Sequence, residues 1–250
     1  MARHPRDREA PINRLVLWNV DHTLVDVTIV MRDAYAAAFR EVTGRPLVKL
    51  APARGRADSE VIFETLALNG VVAEDDHLPA FTEALAKAFA ARRDRIAAQG
   101  RAMPGAREAL AAVARLEGTV QSVLTGTIRS NAVLMLQAFG LDEYLDVEIG
   151  GYGEEVYPRA TLIQVARRRA EERYGMPFPA SATVLVGAPP RDVRAARCGG
   201  AAMTAVAAAE QAAAELAEAG ADVVLDDLCD TGRLVTAITR LTDPAGRKAG

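Results

Sequence analysis

The second half of the chain alternates short apolar runs with helical patterns, and no other feature constrains the fold as strongly. After Gly118 we predict strands at 120–124, 147–149, 183–186, 203–206 and 223–225. Helical patterns lie between them, at about 129–139, 159–173 and 210–219 and from near 191, and a last helix follows 225. Strands that alternate with helices form parallel sheets with helices on both faces. The sequence therefore predicts an α/β fold with three layers.

The first strand, predicted at 15–18, stands apart from this series. Between 30 and about 116, apolar residues recur three and four apart, which predicts helices over 34–42, 58–68, 79–98 and 105–116 and no strand. Asp58 provides capping chemistry at the start of the second of these helices. We expect the following division: a flexible N-terminal tail over 1–13, a core over 14–26 and 100–241, a helical cap over 27–99, and a C-terminal tail over 242–250.

Composition restricts the compartment and the class of protein. Half of the 250 residues are hydrophobic and a quarter are charged, which excludes a disordered chain. The weakly polar run 201–209 ends at Glu210, short of the roughly 20 residues that a membrane helix needs. No apolar stretch of signal-peptide length follows the basic N-terminus, so we expect a cytoplasmic protein. Cys198 and Cys229 stand beside apolar residues and are expected to be reduced and packed.

Charge argues against nucleic acid as a partner. The net charge is −3, and acidic residues are interspersed with arginines everywhere except at 167–169, where Glu171 and Glu172 follow closely. A small-molecule ligand or substrate is the expected partner, with no membrane, and the chain is expected to be a monomer or a homodimer. The preference for arginine and alanine is typical of a bacterial genome rich in G and C.

Polar residues follow several predicted strands at the point where each strand ends. Asn19 and Asp21 follow the first strand, and Thr125 and Gly126 follow the next one in the core. The stretches 151–159 and 187–192 follow two more. Ligands of open parallel sheets bind at these carboxyl ends. Thr125 and the backbone amides of Gly126 and Thr127 stand at a helix start, where peptide dipoles favour an anion. The alternatives are structural: Thr125 could cap the helix and Asp21 the loop.

Several segments together resemble the haloacid dehalogenase superfamily of aspartate-nucleophile hydrolases, in particular phosphoglycolate-phosphatase-like members with a helical cap after the first motif. LVLWNVDHTL is similar to the first motif, SVLTGT to the second and VLVGAPPRDVRAARCGG to the fourth. MPGAREALAAVARL and GADVVLDDLCDTGRLV are similar to further family segments, so the resemblance spans about 14–241. It implies a Rossmann-like core with a parallel sheet and an inserted all-α cap.

The resemblance also shows where the catalytic motifs depart from the family. The family's nucleophilic aspartate, which attacks phosphorus and ligates magnesium, corresponds to Asn19, and an amide is a poor nucleophile. The family's general acid and base is kept as Asp21. Of two acidic residues in the fourth motif, the metal ligand corresponds to Ala188, and only Asp192 is kept.

The lysine of the third motif has no counterpart, because no lysine lies between Lys87 and Lys248. Tyr157 and Pro158 stand where the family often has lysine and proline, and Arg159 could supply the missing cation. The two lost carboxylates remove about two negative charges, as many as one magnesium ion balances. We therefore expect no cofactor, or weak magnesium binding through Asp192 at most.

Further residues are candidates for the ligand site. His22 replaces a glycine common in the family and is expected to be a loop residue beside the site without a metal role. Arg129, at a helix start, could face the ligand. In the cap, Arg54, Arg56 and Asp58 are candidates for the mouth of the pocket.

Three functions remain open at this point. The chain could be a pseudo-enzyme that binds a small anionic metabolite. It could instead catalyse a metal-independent isomerisation, dehydration or cyclisation with Asp21 as the general acid or base. The third alternative is a phosphoglycolate-phosphatase-like hydrolase with residual activity, because loss of the nucleophile costs several powers of ten in rate.

Overall fold

The computed structural model describes residues 13–74, 76–155, 158–207 and 210–243. The strands are β1 (Arg14–Trp18), β2 (Val25–Asp26), β3 (Arg101–Ala102), β4 (Thr119–Val123), β5 (Thr183–Gly187), β6 (Ala202–Val206) and β7 (Val223–Leu225). The helices are α1 (Thr28–Thr43), α2 (Asp58–Leu68), α3 (His77–Ala90), α4 (Arg93–Gln99), α5 (Ala106–Ala114), α6 (Arg129–Ala138), α7 (Arg159–Tyr174), α8 (Pro190–Gly199), α9 (Glu210–Glu218) and α10 (Thr231–Thr242).

A parallel sheet in the order β4-β1-β5-β6-β7 forms the core, which confirms the predicted α/β fold. The central strand β1 is buried along its whole length, because β4 and β5 pair with its two edges and helices cover both faces of the sheet. Inside this core the indole nitrogen of Trp18 donates a hydrogen bond to Gln121 Oε1 at 3.0 Å. The strand order places the ends of β1, β4 and β5 side by side.

The strand predicted at 147–149 is wrong. This segment is a turn, and beside it only a single bridge joins Gly151 to Leu124 at the end of β4. Asp146 explains the turn, because its side chain accepts from the amide of Glu148 at 3.1 Å and so bends the chain away from the sheet.

The cap helices bury an aromatic cluster of their own. The rings of Tyr35 and Phe39 on α1 lie 5.9 and 6.5 Å from that of Phe81 on α3. The single helix predicted over 79–98 is two helices, α3 and α4, with a break after Ala90. Both helices pack on α1 and on α6, and between them the amide of Arg92 donates to the Phe89 carbonyl at 2.9 Å, three residues back rather than four, so the chain tightens and turns there.

A two-residue ribbon joins the cap to the core. Strands β2 and β3 pair antiparallel, with Val25 opposite Ala102 and Asp26 opposite Arg101. The expectation of no strand between 30 and 116 is therefore wrong at β3, which is too short for a period-2 pattern to reveal.

The chain ends differ in one detail from the expected division. Helix α10 continues to Thr242, which is buried and accepts a hydrogen bond from Arg14 Nε at 2.7 Å. Residues 1–12 and 244–250 lie outside the described part of the chain. Cys198 and Cys229 are both free, but they are exposed, so the expected packing of the two thiols is wrong. Within the described residues no helix is long and apolar enough to cross a membrane.

Candidate functional site

The site is built where β1, β4 and β5 end. Asn19 follows β1, Thr125 follows β4, and Asp192 lies in the first turn of α8, which follows β5. Arg159 is the first residue of α7, and its side chain extends to the edge of the sheet where these strands end. Residues that are far apart in sequence therefore meet because parallel strands all present their carboxyl ends to one edge.

Arg159 connects all three of these strand ends. Its Nε donates to Asp192 Oδ1 at 2.7 Å, and its Nη2 donates to Asn19 Oδ1 and to the Leu124 carbonyl, both at 3.2 Å. The Asp192 side chain is fully buried, while that of Arg159 is 15% exposed. Burial raises the pKa of Asp192, and the Arg159 guanidinium opposes this rise. We call this group of Asn19, Arg159 and Asp192 the arginine clamp.

Both polar atoms of the Asn19 side chain form hydrogen bonds. Its Oδ1 accepts from Arg159, and its Nδ2 donates to the Asp21 carbonyl at 3.1 Å and to Thr23 Oγ1 at 3.5 Å. A carboxylate at this position could not make the two donor contacts, since it has no N–H group. Asn19 therefore acts as a neutral connector between the Asp21 loop and the arginine clamp.

The donor set does not fit the magnesium ion that the family resemblance implies. Magnesium requires octahedral oxygen coordination with one or two carboxylates. Asn19 Oδ1 and Asp192 Oδ1 already accept from Arg159, and Ala188 has no donor atom. Asp192 Oδ2 has no partner among the described residues, but it is buried against Gly187, where an added Cβ would come within 2.1 Å of it. A guanidinium in contact with both oxygens would also repel a divalent cation.

Asp21 lies beside the arginine clamp and is half-buried. Its Oδ2 accepts from Thr127 Oγ1 at 2.7 Å and from Thr125 Oγ1 at 3.3 Å. Its Oδ1 accepts from no described group, so one oxygen is held and the other is available to a ligand. Thr125 Oγ1 also accepts from the amide of Thr127 at 3.1 Å, which gives Thr125 a capping role in addition.

Protein side chains occupy most of the amides that were expected to bind an anion at the start of α6. The amide of Thr127 donates to Thr125, and that of Ile128 donates to Asp58 Oδ2 at 2.8 Å. The amide of Arg129 donates to both carboxylate oxygens of Glu154, at 3.2 and 3.0 Å. The amides of Asp21 and Gly126 have no acceptor within the described residues. An anion would therefore bind at these two amides rather than along the helix start.

Two other sequence candidates lie in different surroundings. His22 lines the cavity and has a left-handed backbone with φ of 57°, the conformation that explains why glycine suits this position. Arg129 points away from the cavity, because it pairs with Glu148 and lies 5.9 Å from the ring of Tyr152. The side chain therefore does not line this cavity, and a contact of Arg129 with a ligand stays a prediction. Tyr157 is outside the described residues.

A cavity of about 260 Å³ lies between the cap and the core beside these groups. The cap lines it with Arg32 and Tyr35 of α1 and with Arg54, Arg56 and Asp58 of the segment that leads into α2. Arg56 pairs with Glu60 and Glu64. Arg32 and Arg54 are exposed and have no ion-pair partner among the described residues. These two cations give the mouth of the cavity a positive surplus.

Sequence reasoning missed Arg32 and Tyr35. A signal was present for both, since they are three residues apart and therefore lie on one face of α1. In addition, the residues four positions on either side of Arg32, Thr28 and Ala36, are neutral, so that no acidic neighbour on the helix engages it.

The fold and the site define an α/β protein whose inserted helical cap covers a cavity at the carboxyl ends of a parallel sheet. The family model for haloacid dehalogenase-like hydrolases matches residues 16–197, and the chain belongs to this family.

Solved structures are similar over almost the whole chain. A hydrolase from Pseudomonas syringae has a TM-score of 0.64 and 21% identity, over 89% of this chain and 98% of that one. A predicted phosphoglycolate phosphatase from Haemophilus somnus has a TM-score of 0.58 and 17% identity, over 89% and 97%. CbbY from Rhodobacter sphaeroides in complex with phosphate has a TM-score of 0.63 and 20% identity, over 88% and 96%. No curated protein matches. At these identities the likeness shows the shared hydrolase and phosphatase fold.

Proposed function

We propose that the protein binds a small anionic metabolite in the cytoplasm without a metal ion, and that Asp21 transfers a proton to or from that ligand. The observation that carries the proposal is the arginine clamp. Arg159 contacts Asn19, which stands at the position of the family's magnesium-binding nucleophile, and Asp192, the acidic residue of the fourth motif that is kept. The fixed guanidinium charge balances the one carboxylate that remains in the clamp, Asp192, and offers no exchangeable coordination positions.

The remaining contacts of the cavity suit an anion. The amides of Asp21 and Gly126 are available donors, and Nη1 of Arg159 donates to no described group. Arg32 and Arg54 add two unpaired positive charges at the mouth. Amide donors at the floor and arginines at the entrance are the arrangement that recognises phosphate or carboxylate groups.

Asp21 is the group that can move a proton. Its Oδ2 is held by the hydroxyls of Thr125 and Thr127, which fixes the direction of the carboxyl group. Its Oδ1 is the atom that would accept a proton from a bound ligand or return one to it. Isomerisation, dehydration and cyclisation require only such a transfer beside a stabilised anion. Transfer of a phosphoryl group to the neutral Asn19 would require a far stronger nucleophile than an amide oxygen.

Two assays on the purified protein test the proposal. The first is calorimetric titration with sodium sulfate, a divalent anion that does not titrate near neutral pH, in EDTA and again in magnesium. We expect equal affinity in the two buffers. Replacing Arg32 and Arg54 by glutamine should weaken sulfate binding about fivefold for each charge, because each loses about 1 kcal/mol of attraction near the surface. Arg40→Gln, on an exposed part of α1 away from the cavity, is the matched control and should change nothing.

The second assay measures phosphate release from p-nitrophenyl phosphate. We expect no magnesium-dependent turnover by the native chain. The combined change Asn19→Asp, Ala188→Asp and Arg159→Lys restores the carboxylates and removes the clamp, and it should create such turnover. Magnesium-dependent hydrolysis by the native chain would overturn the proposal in favour of a phosphatase with an unusual nucleophile.

A further inference from the structure

A buried carboxylate joins the cap to the core at the base of α2. Asp58 Oδ1 accepts from the hydroxyl of Tyr35 on α1 at 2.5 Å, and its Oδ2 accepts from the amide of Ile128 at the start of α6 at 2.8 Å. The residue is 5% exposed. Sequence reasoning assigned Asp58 to capping its own helix, but Ala57 is the N-cap residue and no side chain caps α2. The carboxylate of Asp58 instead caps α6, a helix of the core.

Backbone hydrogen bonds reinforce the same contact between the cap and the core. The amide of Asp58 donates to the carbonyl of Gly126 at 2.7 Å, and the amide of Ser59 donates to the carbonyl of Gly153 at 3.4 Å. An added Cβ on Gly126 would come within 2.0 Å of the Arg56 carbonyl oxygen, so the cap and the core approach closely here. The start of α2 is thus docked on the loops that bear Thr125 and Thr127, and it closes one side of the cavity.

Among the described residues no cation pairs with the buried carboxylate of Asp58. The charged groups that face it from the core are acids, Asp21 after β1 and Glu154 in the loop before α7. From the cap it faces the neutral Tyr35, while the nearby Arg56 is engaged by Glu60 and Glu64. A carboxylate that is removed from water without a counter-ion favours its protonated form.

We propose that Asp58 is a proton-controlled latch: with a proton on Asp58 the α2 end of the cap stays docked on the core, and loss of the proton lets it lift and opens the cavity. The ribbon of β2 and β3 remains as the hinge, since it joins the two parts by two residues on each strand. The latch concerns access to the cavity and is independent of the ligand and chemistry proposed above.

The direction of the pH dependence follows from linkage. Burial raises the pKa of Asp58 to about 7 in the docked state, whereas an aspartate in water has its ordinary value of 3.8. The docked state therefore binds the proton more tightly and gains stability as the pH falls from 7 towards 3.8. The equilibrium constant for opening should therefore rise about fiftyfold between pH 5 and pH 7, and it should change little above pH 8.

Amide hydrogen exchange in the full-length, ligand-free protein tests the latch. The reporters are the amides of Asp58, Ser59 and Ile128, measured by NMR from pH 5 to pH 8 and corrected for intrinsic exchange rates. We expect their opening constants to rise with pH as stated, while amides of β5 stay protected. Asp58→Asn, a neutral side chain of the same shape, should abolish the pH dependence. Asp94→Asn, an exposed acid on α4 with no described partner, is the matched control and should keep it.

A second variant tests the proposal if Asp58→Asn fails to fold. Tyr35→Phe removes a donor to the ionised carboxylate, so the midpoint of the opening transition should move to higher pH. Opening constants that do not change between pH 5 and pH 8 in the native protein would overturn the latch. The same pH dependence in Asp58→Asn as in the native chain would also overturn it.

Discussion

Replacement of Arg159 by methionine provides the strongest test of the arginine clamp. Methionine preserves most of the side-chain volume but removes the cation, which leaves the fully buried Asp192 without a partner. Removal of one partner of a buried ion pair costs about 3 to 5 kcal/mol. Because the side chain of Arg159 is itself 15% exposed, we expect the low end, about 3 kcal/mol, or a melting temperature lower by about 6 to 12 °C.

The loss of stability caused by Arg159→Met should depend on pH. Burial raises the pKa of Asp192 above that of an aspartate in the unfolded chain, and loss of the Arg159 charge would raise it further. A raised acid pKa destabilises the folded state at high pH, and this cost is relieved as the pH falls. The difference in free energy of unfolding between variant and native protein should therefore be larger at pH 8 than at pH 5. Urea denaturation at both values measures it.

Two further variants complete the test. Arg168→Met changes an exposed arginine of the same helix, which pairs with Glu172 at 3.5 Å, and it should cost less than about 0.5 kcal/mol. In an Asp192→Asn background, Arg159→Met should cost far less than in the native chain, because no charge is left unpaired. An equal cost in the two backgrounds, or a cost below about 1 kcal/mol in the native chain, would refute the clamp.

Three more substitutions test other parts of the structure by urea or thermal denaturation. Phe81→Ala empties the aromatic centre of the cap and should cost about 3 to 5 kcal/mol; a loss below about 1 kcal/mol would mean that the cap core is loose. Gly153→Ala should cost more than about 2 kcal/mol, since the new Cβ would lie 1.6 Å from the Gly126 oxygen, whereas Gly232→Ala in α10 should be neutral or stabilise by up to about 1 kcal/mol. Equal effects of these two alanines would contradict the close approach of the Gly153 loop to the Gly126 loop. His22→Gly relieves a left-handed backbone and should stabilise by up to about 1 kcal/mol; a loss would show that the imidazole is needed.

The fold was predictable where the signal is local. The strands at 15–18, 183–186 and 223–225 were predicted within one residue of the observed limits, because an apolar run between turns is recorded in consecutive residues. The wrong predictions lie where tertiary contacts determine the local structure. Nothing in 79–98 shows that the helix breaks after Ala90, and the turn at 147–149 depends on how Asp146 bonds.

In the candidate site, too, the sequence predicted the identity of residues but not the direction of their side chains. The family resemblance identified Asn19 and Ala188 as altered motif positions and Asp21 and Asp192 as kept ones, since the motifs are recorded in consecutive residues. It could not show that Arg129 turns away to Glu148, because a helix start leaves the direction of a long side chain undetermined.

The sequence alone determined the chemical identity of the groups at the strand ends: an amide for a carboxylate, a methyl group for a ligand, and no lysine between Lys87 and Lys248. Tertiary structure decided what these groups do. Arg159 reaches Asn19 across 140 positions in sequence, and Asp58 occupies an amide of a helix 70 positions further along the chain. Such contacts depend on how the helices pack over the sheet, and burial then sets the charge states, so neither can be derived from the spacing of residues.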